Sequence, residues 1–504
     1  MRTILFKKTT LIISAFLLIG IILRFLYFPD NVYFAYDQAR DSFTALEILK
    51  GDFKLIGPPS FLSNKIFPGP LIFYIYALIY LIFDNNPEAI SAMFRIFNVT
   101  GVILTFLLGT IIFNKKTGLI AALLFAISYE QTQYSLFISH QPLAVVPVLL
   151  FYLGLSLYAF KKNTKGLILT ALGWGFAIQF HYGYLLLLFP LFFILFLFKN
   201  NIRAVQPKIF FLTFMALFLT LSTFVVAEVK YHSFTSYFLQ NQTTSFAIYP
   251  KETLQIANRF IYDFFISDYQ LTPIIGLLGI AIFLYFIFFQ KKIRMKLLFL
   301  ACWLMGSLLP YFLSGVPSYY YAAAASVSII ILFSYLIPFN RKRIILTIIL
   351  LSVVAVNNLN QIIKINKTGI NRDIAIQPGM LTFDQKKSID YMYIEAQGKL
   401  FAVNILGIPL NVATTWSYLF EWYGNSKYKF LPVMGGSIAD GYPGNLKIIR
   451  QRSQLPPLQF LIIEPTLGIR EEYVNGFIKN EDYFSKIKEV REYGTIVVQK
   501  RNKI

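Results

Sequence analysis

Long apolar runs broken by short polar turns organise the first 360 residues of this 504-residue chain. Runs of about 20 apolar residues read as transmembrane helices, and runs of 10–14 read as interfacial or re-entrant segments. The runs 9–28, 90–113 and 343–360 each predict one span. No small-residue cleavage site follows 9–28 before Asp30, so it is read as a retained first span. Residues 118–160 divide into two at the polar stretch Ser139-His140-Gln141-Pro142. Residues 166–198 would extend roughly 50 Å as one helix, too long for a single crossing, so a turn is expected at His181-Tyr182-Gly183. Residues 209–290 give two spans around a long polar loop at about 228–270, and 297–338 divide at Gly315-Val316-Pro317-Ser318. The run 71–83 is only 13 residues long and follows Pro68-Gly69-Pro70. It predicts a juxtamembrane helix lying in the interface. The expected architecture is an α-helical polytopic membrane protein of about eleven transmembrane helices plus that juxtamembrane helix.

The pattern changes in the tail. Residues 375–504 carry much more charge and show β-rich runs at Leu400–Leu406, Phe460–Ile463 and Thr495–Gln499, with helical patterns around 411–424 and 470–480. This predicts a small α/β domain large enough for its own core. The organisation read from the chain is therefore a membrane module at 1–360, with its first outer loop at 29–89. A linker at 361–374 and the α/β domain at 375–504 follow.

Charge settles which side is which. The net charge is +21, from 46 Lys and Arg against 25 Asp and Glu. Six basic clusters hold 18 of the basic residues and none of the acids: Arg2/Lys7/Lys8, Lys115/Lys116, Lys161/Lys162/Lys165, Lys199/Arg203/Lys208, Lys291/Lys292/Arg294/Lys296 and Arg341/Lys342/Arg343. Short cytoplasmic loops are enriched in Lys and Arg. Placing all six inside makes the amino terminus cytoplasmic and the tail domain extracytoplasmic, in a multi-pass protein whose default location is the plasma membrane. What remains of the charge is 28 basic against 25 acidic residues, so the basicity is a topology signal and no nucleic-acid footprint. Only 14% of residues are charged, against about 25% in a soluble domain, and the single Cys302 excludes a disulfide scaffold.

The first outer loop is the densest acidic segment, with Asp30, Asp37, Asp41, Glu47 and Asp52. Asp37 and Asp41 are four apart and share a face on a helix, with Arg40 beside them. A carboxylate at a membrane surface serves as a general base or a metal ligand; an ordinary solvated loop with helix-start acids reads the same way.

Order and topology here resemble the GT-C superfamily of polyprenyl-phosphate-sugar-dependent glycosyltransferases, nearest the protein O-mannosyltransferase and aminoarabinose-transferase type. The residues that carry the resemblance are Asp37, Pro68-Gly69-Pro70-Leu71, Glu88, Arg95 and Lys115-Lys116-Thr117-Gly118. It covers about 1–360 and is strongest over 30–125. Two departures stand out: Gln38 follows Asp37 where the family typically has Asp-Glu, and Lys65 lies three residues before the turn instead of beside it. The resemblance implies transfer of a sugar from a polyprenyl-phosphate donor to an acceptor hydroxyl of a protein, glycolipid or polymer, at the outer face of the bilayer. Asp37 would be the general base of an inverting displacement, as in inverting glycosidases. Arg40, Lys65, Lys230 and His232 would neutralise the lipid phosphate, and Asp41, His140, His181 and Glu228 would line the substrate cavity. The monosaccharide-transferring relatives generally use no metal; Asp37, Asp41 and Glu228 leave a divalent ion possible, though no spacing demands one.

Structural readings compete at several positions. Glu130 and Glu228 near span ends suit hydrogen bonding to an acceptor, or pairing with Arg95 or Lys230. Arg24 reads as a snorkelling cation, and Tyr319-Tyr320-Tyr321 as an aromatic belt. The histidines suit a polar cavity or an interfacial position. A transporter or flippase of lipid-linked glycans is the alternative function; it should place charges mid-span and show related halves, and neither is seen. A scaffold whose outer domain binds partners leaves the acidic first loop unexplained.

Overall fold

The computed structural model describes residues 2–58, 67–232, 248–314, 319–322, 324–338, 343–371 and 377–504, with backbone alone for 2–7, 314 and 319. Among the described residues, seven helices are long and apolar enough to cross a membrane: Lys8–Phe25, Pro87–Ile112, His140–Lys161, Pro207–Tyr231, Thr272–Phe289, Arg294–Leu313 and Ile344–Thr368. Three further expected spans fall on shorter apolar helices, Gly166–Phe180, Tyr182–Leu197 and Ala325–Leu336. The remaining one is broken into Lys115–Ala126 and Tyr129–Leu136. Ser128 makes the break, because its side chain accepts the Gln131 N–H and restarts the helix. The turn expected at 315–318 lies outside the described residues.

One expectation is corrected. The stretch 228–270 is no plain loop, since its second half forms the helix Pro250–Phe264. Its buried residues Ile256, Phe260, Asp263 and Phe264 recur at the helical interval. Asn357 and Asn358 of the following long helix donate to the carbonyls of Asp263 and Phe264 at 3.0 and 2.8 Å. Scattered polar residues masked an amphipathic stripe.

The ends of the bundle differ in chemistry. Phe113 stacks on Tyr335 at 4.0 Å, Lys296 lies 5.4 Å over Phe113, and Tyr158 donates to the Phe198 carbonyl at 3.1 Å. The turns at 113–116, 158–162 and 198–199 thus gather with the start of the Arg294–Ser314 helix at one end, Phe160 packing on both Phe198 and Phe299 at 5.3 Å. The helix His140–Lys161, 22 residues long and so about 33 Å, carries His140 to the other.

The tail builds a six-stranded sheet. Its strands are β1 (Ala402–Leu406), β2 (Val433–Gly435), β3 (Ile448–Ile449), β4 (Leu458–Ile463), β5 (Ser485–Tyr493) and β6 (Ile496–Lys503). Their order is β3-β2-β1-β4-β6-β5. β1 pairs in parallel with β2 and β4, and the β5–β6 hairpin closes one edge antiparallel. Val403, Ile405, Phe460, Ile462 and Val498 form its core.

This domain is fastened to the first loop by backbone. Phe34 N–H donates to Met380 and Thr382 N–H donates to Val32, each at 2.8 Å, and Gln385 Nε2 reaches the Phe34 carbonyl at 2.7 Å. Tyr418 packs against Phe34, Phe43 and Tyr80 and donates to the Asn85 carbonyl at 2.7 Å. Lys386 pairs with Glu88 at 2.5 Å.

Candidate active site

The first-loop helix Tyr36–Leu49 carries the acids. Its start has no capping side chain at Ala35, and Gln38 supplies the cap instead. Gln38 Oε1 accepts the Ala35 N–H at 3.1 Å while Nε2 donates to the Ile138 carbonyl at 2.6 Å. Both ends of the buried amide are used. A carboxylate there would face Ile138 O with no proton to give, which accounts for Gln38 where the resembled family has Glu. One turn on, Ser42 bonds Tyr80 Oη at 2.6 Å and so ties the helix to Leu71–Phe83. That short helix is about 20 Å long, below the roughly 30 Å hydrocarbon thickness. It buries Ile72, Tyr76 and Tyr80 and leaves Leu78, Leu81, Ile82 and Phe83 bare.

Asp37 stands in the first helical turn, where the helix dipole favours a carboxylate. Its side chain is 64% exposed. Arg40 Nη1 donates to Asp37 Oδ1 at 2.7 Å, and Arg40 Nε and Nη2 donate to Asp41 Oδ1 at 2.9 and 2.7 Å. Asp41 is only 4% exposed. Burial pushes the Asp41 carboxyl up to about 6, with the Arg40 guanidinium and its hydrogen bond pulling the other way. Burial also disfavours charge on Arg40, but Asp41 and Asp37 outweigh it and raise its pKa, so it stays a cation. The buried acid holds the arginine, and the arginine holds the exposed acid. A fixed positive charge thus lies between two carboxylates, with one of them open to react.

The histidines complete the site from the bundle. His140 and His181 face each other with ring centroids 6.1 Å apart, and the Gln38 bond to the Ile138 carbonyl sets the first-loop helix beside the turn that leads into His140. His181 Nδ1 accepts the Gly183 N–H at 3.0 Å, which leaves Nε2 to carry the proton of the neutral ring. Tyr182 and Tyr321 pack on His181 at 4.4 and 4.5 Å, and Tyr320 packs on Phe137 at 5.4 Å. Just beneath, Gln179 Nε2 bonds Thr220 O and Thr223 Oγ1 at 2.7 and 2.8 Å. A Cβ on Gly69 would lie 1.8 Å from Gln179 Oε1, so only glycine lets the Pro68–Pro70 turn close on this helix.

Asp37, Arg40, Asp41, His140 and His181 are therefore brought to one end of the bundle. Lys65 lies outside the described residues. Glu228 is half-buried, and Lys230 and His232 stand exposed beyond it, Lys230 over the Tyr231 ring at 5.2 Å. Their helix joins the cluster one level lower, through Thr220 and Thr223.

Several structural readings need correcting. Arg24 does not snorkel: it is fully buried and donates to Asn98 Oδ1 at 2.8 Å and Ala126 O at 3.1 Å. Arg95 is equally buried, and binds Arg24 O, Asn31 Oδ1 and Ser91 Oγ. It does not pair with Glu130, whose Oε1 accepts from Tyr134 at 3.1 Å. Tyr321 packs on His181 and Tyr320 on Phe137, inside the bundle and not in a lipid-facing belt; the Tyr319 side chain lies outside the described residues. Glu88, which opens the second span, bonds Lys386 and Thr382 of the tail domain. Among the described residues, no group of three or more His, Cys, Asp or Glu is placed to hold a metal ion.

Residues 68–226 match the family model described as dolichyl-phosphate-mannose-protein mannosyltransferase. That range holds the Pro68–Pro70 turn, His140 and His181, and Asp37 lies before it. The whole chain is similar to ArnT from Cupriavidus metallidurans, solved bound to undecaprenyl phosphate, with a TM-score of 0.60, 10% identity and 97% of each chain covered. It also resembles oligosaccharyltransferase AglB from Archaeoglobus fulgidus, solved with an inhibitory peptide and a dolichol-phosphate. There the TM-score is 0.51 and the identity 14%, over 85% of this chain and 64% of that one. No curated protein matches the sequence. The likeness to GT-C glycosyltransferases carried by the sequence motifs is borne out, and the fold is ArnT-like.

Proposed function

We propose that the chain moves a sugar from a polyprenyl-phosphate carrier to an acceptor hydroxyl at the outer membrane face, with inversion, and that Asp37 is the general base. The observation that carries this reading is the Asp37–Arg40–Asp41 chain, which leaves one carboxylate exposed and oriented beside a cation. The acceptor oxygen attacks the anomeric carbon as Asp37 takes its proton. The bond from that carbon to the phosphate oxygen breaks, and the lipid phosphate departs with the electron pair. Phosphate is a stable leaving group and needs little acid assistance. Arg40 offers charge-assisted hydrogen bonds to its oxygens, and His181 offers an Nε2–H to phosphate or sugar.

Sidedness rests on the basic turns at 113–116, 158–162 and 198–199 and on Lys296, which lie at the end opposite His140, as the positive-inside rule expects of cytoplasmic loops. Donor chemistry is supported by the undecaprenyl phosphate and dolichol-phosphate bound in ArnT and AglB. The test is transfer from a panel of polyprenyl-phosphate sugars in membranes carrying the wild-type chain. Turnover of one or more donors is expected. Movement of the intact lipid-linked sugar across the bilayer without cleavage would favour a flippase instead.

A further inference from the structure

The tail domain does more than sit on the membrane module: its β2–β3 connection reaches the reactive helix. That connection runs from Gly436 to Lys447 and turns at two glycines of positive φ, Gly436 and Gly441. It is pinned at both ends. Ala439 N–H donates to Asn411 O at 2.9 Å, and Arg450 bonds Ile438 O and Asp440. On the far side, Asn445 N–H donates to Ser417 Oγ and Glu421 Oε1, each at 3.1 Å, and Asn445 Nδ2 reaches Glu421 Oε2 at 2.9 Å. Between these anchors stands Tyr442, 45% exposed. Its ring meets Tyr36 edge-on at 6.1 Å, and the Arg40 guanidinium lies over the Tyr36 ring at 5.6 Å. Tyr36 immediately precedes Asp37.

The domain that presents Tyr442 is registered on the same loop by Val32, Phe34 and Glu88, so this approach is no chance contact of a free arm. The geometry also assigns sides. The histidines reach the first-loop helix from the bundle, next to Ile138, whose carbonyl Gln38 binds, and Tyr442 reaches it from the tail domain, at Tyr36. A lipid-borne donor enters from the bilayer, where the Leu71–Phe83 helix is bare and apolar. Tyr442 belongs to the tail domain and is exposed, so it is left to meet the acceptor.

We propose that Tyr442 and its pinned loop form the acceptor subsite and select the acceptor by stacking an exposed aromatic ring on it, which suits a sugar ring or an aromatic or apolar side chain next to the reacting hydroxyl. This rests on the transferase reading above. Water carries no surface to stack, so hydrolysis of the donor, in which a water O–H replaces the acceptor O–H in the same displacement, is independent of Tyr442.

The experiment uses the full chain in native membranes with a sugar-labelled polyprenyl-phosphate donor. It counts label passed to membrane acceptors against free sugar released to water. Tyr442→Ala is expected to lower transfer about tenfold at limiting acceptor, leave hydrolysis unchanged, and leave the donor KM unchanged. Tyr442→Phe should retain wild-type transfer, and Asn445→Ala, which frees the loop without touching the ring, should show a weaker loss of the same kind. Equal transfer in Tyr442→Ala and wild type overturns the proposal while the transferase reading stands. Parallel loss of transfer and hydrolysis also overturns it, because that pattern marks damage to the chemistry or the fold. Absence of turnover of every donor by the wild type overturns both.

Discussion

At the residue scale the site is a relay of charge from buried to exposed. Asp41 titrates near 6 in the fold, against 3.8 ordinarily, chiefly because it is buried. A carboxyl raised in the folded state adds stability below its unfolded value, and that contribution fades as pH climbs through about 6. Its effect on chemistry runs the other way. Protonated Asp41 gives up its grip on Arg40, which then pairs with Asp37 alone and holds that carboxylate less basic. Transfer should fall as pH drops through about 6, and Asp41→Asn should lose this limb of the pH–rate profile; an unchanged limb in the variant assigns it to another group. Gln38 yields a second expectation. Gln38→Glu sets a carboxylate against Ile138 O and should destabilise the protein by about 1–3 kcal/mol, read as a lower melting temperature in detergent. Equal stability would show that the Ile138 contact contributes nothing. The sequence displays Asp37 and Arg40 plainly. It hides the roles of Gln38 and Tyr442, because each depends on a partner about 100 residues away or more in the chain.

At the scale of elements, close approach of the Pro68–Pro70 turn to the Gly166–Phe180 helix positions the first loop. Gly69→Ala would drive a methyl into Gln179, whose amide is pinned by Thr220 and Thr223. It should cost roughly 1–3 kcal/mol as an overpacking change and reduce transfer with it. Gly69→Ala with Gln179→Ala should recover part of the loss, and only part, since Gln179 Cα is itself 3.0 Å from the added carbon. Full additivity of the two losses would contradict the contact. Element prediction succeeded where periodicity was strong, as in the long apolar helices and strands β1, β4 and β6. It failed at Pro250–Phe264, whose apolar stripe is interleaved with Lys251, Glu252, Arg259 and Asp263. It also missed the break at Ser128, where buried Glu130, Gln131, Thr132 and Gln133 interrupt a span that hydropathy alone would run through.

At the scale of the whole molecule, the two ends of the bundle differ in chemistry, and the tail domain is seated at the end that carries the Asp37–Arg40–Asp41 chain. Glu88 joins the two parts through Lys386, both partly exposed, so the ion pair alone is worth about 1 kcal/mol or less. Glu88→Lys should increase proteolytic cleavage around Met380–Thr382 and depress transfer, and the reversed pair Glu88→Lys with Lys386→Glu should restore both. Failure of the reversal would show that Thr382 or the backbone pairing carries the joint. The basic clusters are the part of the sequence on which the proposed sidedness of Asp37 rests. The domain's reach over Tyr36 was not legible there, because no local pattern encodes which loop of a sheet meets which helix. The most direct test of the account compares wild type with Asp37→Asn, for sugar transfer and for binding of the same polyprenyl-phosphate sugar. The account predicts a loss of transfer by a factor of about 10² to 10⁴ with donor affinity unchanged; transfer at the wild-type rate in Asp37→Asn would contradict it.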